Sequence, residues 1–366
     1  MKRRDMLIGG GAGLVAIGAG ATLVSKRQMG SAADYDEAAQ ATRALLAEHP
    51  DARDLIRYAT LAPNGHNTQP WRFAIEPGEI TIHPDFARRT PVVDPDDHHL
   101  FVSMGCAAEN LALAAAARGH RGEPSFDNSG DGSISFRHRP GPIQGSPMFD
   151  AIPRRQSTRA EYDGRSVGPA DLTTLAAAAK VPGVDMVMVT DRPTIDRIRD
   201  LVVTGNSAQM GDPAFMRELK SWLRFNPRQA GATGDGLYSA TSDSAPVPEW
   251  IGRRAIDLFF TAKAENDKYA RQISSSAGLA VFVGEKADRD HWVLTGRACQ
   301  RFALQATAIG LKHAFINQPV EVPALRPELA AIVGMVGRRP DLVMRFGYGP
   351  LLPFAPRRPV AAVIKG

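Results

Sequence analysis

The strongest patterning lies in short apolar runs bounded by turn residues. Trp71-Arg-Phe-Ala-Ile75 and Leu279-Ala-Val-Phe-Val283 read as strands, as do Glu79–Ile82 after the Pro77-Gly78 turn, Ser133–Arg137 and Asp185–Thr190. Helical periodicity is expected over Ala38–Ala62, Ala170–Ala179 and Thr194–Thr204. Two alanine-rich stretches, Gly105–Gly119 and Gly296–Gly310, align without gaps. Gly105/Gly296, Ala107/Ala298, Leu113/Leu304, Ala115/Ala306, Ala117/Ala308 and Gly119/Gly310 coincide. Each predicts a helix with a small-residue face that permits close packing, closed by a glycine at its C-terminal end. A strand-like run precedes each of them. The pattern is that of an α+β protein with an internal repeat.

Gly122–Gly145 is rich in Gly, Ser, Asp and Pro, and the junction between halves is expected there. The organisation predicted is residues 1–33 as an address segment, 34–145 as a first half and 146–366 as a second. Residues 206–255, which carry Trp222, Phe225, Tyr238 and Trp250, have no counterpart in the first half. They suit a lid packed over something, or a long decorated insertion.

Composition adds little, but the position of charge matters. The 43% hydrophobic and 23% charged residues are those of a core-forming globular protein. Lys2, Arg3, Arg4, Lys26 and Arg27 supply most of the net charge of +5 within the first 33 residues. No basic stripe interleaved with aromatics follows, so nucleic acid is not expected as a partner. Met6–Val24 is apolar, and Ser31-Ala32-Ala33 offers small residues for cleavage. Arg3-Arg4-Asp5-Met6-Leu7 resembles a twin-arginine export signal. Export to a periplasmic or extracytoplasmic compartment is expected, with an uncleaved membrane anchor through residues 6–24 as the alternative. Cys106 and Cys299 read as free, buried residues.

The chemistry-bearing motifs are two. Ala62-Pro-Asn-Gly-His-Asn-Thr-Gln-Pro-Trp-Arg-Phe73 joins a helix end to a strand start through a polar loop. Arg154-Arg-Gln-Ser-Thr-Arg-Ala-Glu-Tyr162 alternates Arg155, Ser157 and Arg159, so an extended chain turns all three to one side. Two guanidiniums and a hydroxyl suit a dianionic phosphate through charge-assisted bonds. The first motif resembles the A-P-S-x-x-N-x-Q-P-W loop of the nitroreductase superfamily, with Asn64 in place of serine. The second resembles that family's R-x-S-x-R phosphate grip.

The resemblance implies a nitroreductase-like α+β fold with antiparallel-rich mixed sheets flanked by helices, and FMN as cofactor. It further implies that Asn64, His66, Asn67 and Gln69 meet the isoalloxazine edge, and that Arg155, Ser157 and Arg159 hold the phosphate. Arg357 and Arg358 would add a C-terminal phosphate contact, and Asn317 and Gln318 would approach the ring. The loop occurs only in the first half and the basic motif only in the second. One chain therefore completes one flavin site, as a monomer in the form of a pseudo-dimer, the two-repeat arrangement of the Acg-like branch. The activity implied is flavin-mediated transfer between a small-molecule electron donor and acceptor, with FMN storage without turnover as the alternative. No catalytic side chain is nominated. No metal is expected: Asp94-Pro-Asp-Asp-His-His99 reads as a solvated loop without distant partner ligands. Glu109 reads as a capping or ion-pairing residue.

Overall fold

The computed structural model describes residues 29–365, so the twin-arginine segment and the whole apolar run Met6–Val24, with the anchor expected there as the alternative, lie outside the described residues. Two four-stranded antiparallel sheets organise the chain. The first has the order Trp71–Glu76, Glu79–Pro84, Ser133–Arg137, Pro124–Asp127. The second runs Lys312–Phe315, Leu342–Gly347, Gly278–Gly284, Val184–Val189. Period-two patterning turns Trp71, Phe73, Ile80, Ile82, Ile134 and Phe136 inward in the first sheet. The strand Gly278–Gly284 is buried along its entire length, which is why it reads as an unbroken apolar run.

Between the sheets lie two long helices, His98–Ala116 and Arg289–Ala308, which are the aligned alanine-rich segments. A Cβ added at Gly105 would collide with the backbone of Val293, and one at Gly296 with the backbone of Val102, both well inside 3.0 Å. These two approaches exchange under the same offset that aligns the sequences. Further along, the Gln300 amide donates to Asn110 Oδ1 at 2.6 Å, and Glu109 accepts from Arg297 and Arg301 at 2.8 Å each. Glu109 is therefore an ion-pairing residue in the helix interface. Cys106 and Cys299 are free and buried there. Gly119 and Gly310 have φ of 76° and 83°, the left-handed conformation that ends a helix cheaply only at glycine.

Both sheets gain chain at an edge from elsewhere. Phe73 exchanges hydrogen bonds with Val363 and Lys365 near the C-terminus, at 2.8 and 2.7 Å. Thr158 donates to the His313 carbonyl at 2.8 Å, laying the arginine motif beside Lys312–Phe315.

The structure differs from the sequence pattern in two places. The helix expected over Ala38–Ala62 is two helices, Ala32–Thr42 and Ala52–Thr60. Pro50 disfavours helix in the residue before it, and Asp51 starts the second helix by accepting from Asp54 N at 2.8 Å. Residues 206–255, expected as a lid or a decorated insertion without named elements, are largely helical. The helix Arg192–Gly211 runs into them, followed by Pro213–Trp222, Pro227–Thr233 and Glu249–Phe259. Pro213 and Pro227 occupy first-turn positions capped by Asp212 and Asn226, where proline starts a helix instead of breaking one.

Candidate functional site

The site begins at the C-terminal end of the Ala52–Thr60 helix. Its last carbonyls have no helical partner and carry the negative end of the helix dipole. Arg357 donates to Thr60, Leu61 and Ala62 O at 2.7, 3.2 and 3.1 Å, and Arg155 Nη2 donates to Leu61 O at 2.9 Å. Arginines some two hundred residues apart in sequence thus meet at one helix end.

The polar loop follows directly. His66, Asn67 and Gln69 have φ of 46°, 54° and 54°, a conformation that costs non-glycine residues energy and persists only where neighbours enforce it. Here the neighbours are visible. Asn64 Oδ1 accepts from Gln69 N at 2.8 Å and closes the loop on itself. Asn67 donates to Gly236 and Pro356 O at 3.2 and 3.0 Å and accepts from Arg357 at 2.7 Å. Gln69 donates to Gly234 O at 2.8 Å and accepts from Arg358 N at 2.9 Å. The side chains of Asn67 and Gln69 therefore fasten the loop to two other segments, 234–236 and 356–358. His66 is the one of the four whose side chain makes no hydrogen bond among the described residues. Burial, with the Arg159 charge adding to it, holds its imidazole down to about 4, so it is neutral at pH 7.

A cavity opens between this loop and the arginine motif. Asn64 and Asn67 line one side; Arg155, Ser157 and Arg159 line another, joined by Arg43 and Arg357. Phe315, Phe354 and Leu237 give it apolar walls, and Gly236, Leu237 and Thr241 come to its lining from residues 206–255. The two motifs, distant in sequence, do converge.

Its charge is one-sided. Among the described residues, Arg43, Arg155, Arg159 and Arg357 make no ion pair. Burial first, and then Arg155, pushes Arg43 down to about 9; burial likewise brings Arg155 to about 10 and depresses Arg357 further, with Arg43 and Arg155 contributing. Guanidinium stays protonated in proteins, so these directions express the cost of packing like charges out of water. Arg155 Nε and Nη1 are buried without a partner. An anion in the cavity would relieve both conditions. By contrast, a solvent-open depression at Tyr348–Pro350 pairs its own charges, Arg165 with Asp163 at 2.7 Å.

Not every expected residue faces the cavity. Arg358 lies outside it, its guanidinium directed to Ala362 O and Asp85, because its backbone is held by Gln69. Asn317 accepts from Val343 N at 2.9 Å, a buttress for the second sheet, and the buried Gln318 packs by Gly205. Neither lines the cavity. Arg43 and Phe354, which do, gave no sequence signal: Arg43 looks like any helical surface arginine, and its guanidinium stacks on Phe354 at 4.1 Å.

The Asp94–His99 segment, expected to be a solvated loop, is buried at Asp94 and His98. The reason is capping. Asp94 accepts from the His99 and Leu100 amides at 3.0 Å each, and His98 Nε2 lies 2.9 Å from Asp341 Oδ1. Both Asp94 oxygens thus serve the helix start, which explains why this cluster of acids and histidines sits inside.

No family model matches the chain. It is 28% identical over 336 residues to "Putative NAD(P)H nitroreductase Rv3131" of Mycobacterium tuberculosis, covering 88% of this chain and 94% of that protein. It is 24% identical over 327 residues to "Putative NAD(P)H nitroreductase acg" of the same species, covering 85% and 94%. Among solved structures, the FMN-dependent nitroreductase NfnB of Mycobacterium smegmatis, in complex with NADPH, overlaps 56% of this chain and 87% of its own, with TM-score 0.37 and 13% identity.

Proposed function

We propose that this chain, which belongs to the nitroreductase superfamily, is an FMN-dependent oxidoreductase with one flavin site per chain. The observation that carries the proposal is the convergence of the 64–69 loop and the 155–159 arginines on one cationic cavity. The residues present fit the cofactor. The free Nε and Nη1 of Arg155, the Ser157 hydroxyl and Arg159 would hold the phosphate. Phe315, Phe354 and Leu237 would bury the flat faces of the ring. When bound, FMN supplies hydride and electron transfer between a reduced nicotinamide and a second small molecule. The chain's own part is to bind, orient and exclude water. The three bonds joining Asn67 and Gln69 to Gly234 and Gly236 tie the insertion down as a lid over the cavity.

Since the loop comes from the first half and the arginines from the second, the site is formed as it would be between subunits of a dimer. The matched Gly105–Val293 and Gly296–Val102 approaches support that pseudo-dimer reading. Arg357 acts here as a positioning residue, bracing the helix end and Asn67. We take residues 1–33 as a twin-arginine-type export segment. That route carries folded proteins with cofactor bound.

A specific feature favours one rival, storage of FMN without turnover: the insertion is hydrogen-bonded shut across the cavity. Anaerobic addition of NADH and of NADPH separates the two. We expect bleaching of the bound flavin's visible absorbance by at least one of them. Absence of bleaching with either would contradict the enzymatic reading and favour storage.

A further inference from the structure

The helix Glu249–Phe259, beyond the cavity, has two unlike sides. Gly252 is buried on it, where a side chain would strike the Phe225 ring. Away from that contact Trp250, Ile251, Leu258 and Phe259 are 65, 37, 68 and 73% exposed, Phe259 in the last turn, two turns on from Gly252. At about 100° per residue these four, with Arg254 and Ala255, fill roughly half of the helix circumference. The acids lie off that arc and are paired: Glu249 with Arg253 at 2.6 Å and Asp257 with Lys220 at 2.7 Å. Arg254, on the arc and exposed, makes no ion pair or hydrogen bond among the described residues. The arc is thus aromatic and aliphatic with one uncompensated cation.

The point where the chain enters the fold bears on what covers it. Gly30 lies against Arg228, so that a Cβ there would be 3.0 Å from Arg228 Cβ. Arg228, in the first turn of the helix Pro227–Thr233, is three residues on from Phe225, on which Gly252 rests. The described residues therefore begin close to this helix, and the sequence before them comprises the apolar run Met6–Val24 followed by Lys26 and Arg27. Four side chains fall far short of the roughly 800 Å² per partner of a stable protein interface. They are ample for an interfacial helix, which needs an apolar face, an aromatic and a cation for lipid phosphate.

We propose that the Trp250–Phe259 arc lies in the surface of an anionic bilayer, with Arg254 on lipid phosphate, and so docks the lid-bearing side of the protein on the membrane. Tryptophan quenching tests this on the full chain, because none of residues 1–28 is tryptophan, so membrane capture by that segment gives no signal of its own. With vesicles of phosphatidylglycerol and brominated phosphatidylcholine, emission is expected to be quenched. Trp250→Phe should lose most of that quenching while still co-sedimenting. Leu258→Glu/Phe259→Glu should lose it with unchanged circular dichroism and flavin content. Vesicles without phosphatidylglycerol should quench several-fold less. Unchanged quenching in Trp250→Phe, equal quenching without the anionic lipid, or no quenching of vesicle-bound wild type would each overturn the proposal. So would a concentration-dependent dimer, abolished by the glutamate pair, with no lipid quenching.

Discussion

The Arg155→Ala/Arg159→Ala variant is expected to purify without flavin, its affinity for FMN reduced by about two to four orders of magnitude. The magnitude follows from charge-assisted hydrogen bonds worth about 1.5–3 kcal/mol each. In the protein as folded, Arg159 makes no side-chain hydrogen bond among the described residues, and two of the three Arg155 nitrogens are buried without partners. Truncation at 159 should therefore leave the fold intact. Truncation at 155 also removes a cap from Leu61 O, so Arg159→Ala alone, with Ser157→Ala beside it, keeps the test interpretable. Equilibrium titration of apoprotein followed by flavin fluorescence gives the affinity. Thermal melting in phosphate supplies a companion reading: the wild type should be stabilised by phosphate, since an anion offsets the mutual repulsion of Arg43, Arg155, Arg159 and Arg357, and the double variant should respond far less. Full flavin retention in a folded double variant would refute the phosphate assignment.

The second large effect lies in the core. Gly105→Ala and Gly296→Ala each place a methyl group into opposing backbone, at Val293 and Val102 respectively. Backbone cannot rotate aside as a side chain can, so overpacking should fall at the upper end of the usual range, about 3 kcal/mol. Alanine's better helix propensity returns up to about 1 kcal/mol, leaving a net loss of roughly 2 kcal/mol at each position. Melting temperatures should fall by several degrees in both variants. Gly145→Ala, where nothing lies within 4 Å of the added carbon, should be near neutral. If the two helices pack as described, the two losses should also be similar in size, because the contacts are mates of one another. A marked loss at one position and none at the other would contradict the paired packing.

These expectations trace to features of unequal legibility in the sequence. The strands Trp71–Glu76 and Gly278–Gly284 and the helix pair were readable because burial on one or both sides leaves a periodic or unbroken apolar record. The loop and arginine motifs were readable through their resemblance to the nitroreductase superfamily, while the positive φ at His66, Asn67 and Gln69 appears only in the structure. What the sequence hid is tertiary. Arg43 reaches the cavity as the C-cap of the helix Ala32–Thr42, an end that the helix expected from sequence runs through. Arg357 and Arg358 are adjacent, yet one braces Asn67 and the other turns to Ala362 and Asp85; nothing local distinguishes them. Asn67 and Gln69 carry the right donors and acceptors, but the insertion and the C-terminal segment use them. Asp94, His98 and His99 looked solvated because charged residues usually are, while capping geometry and Asp341, distant in sequence, take them inside. Pro213 and Pro227 stand at helix starts, a role made visible only by the Asp212 and Asn226 caps before them.

The central claim is that two motifs far apart in one chain together complete a single flavin site. Flavin released by heat from freshly purified, folded protein, quantified by its absorbance against protein concentration and identified as FMN by chromatography, measures this directly. The account predicts close to one FMN per chain. A value near two, or a folded protein that neither carries nor takes up FMN, would contradict it.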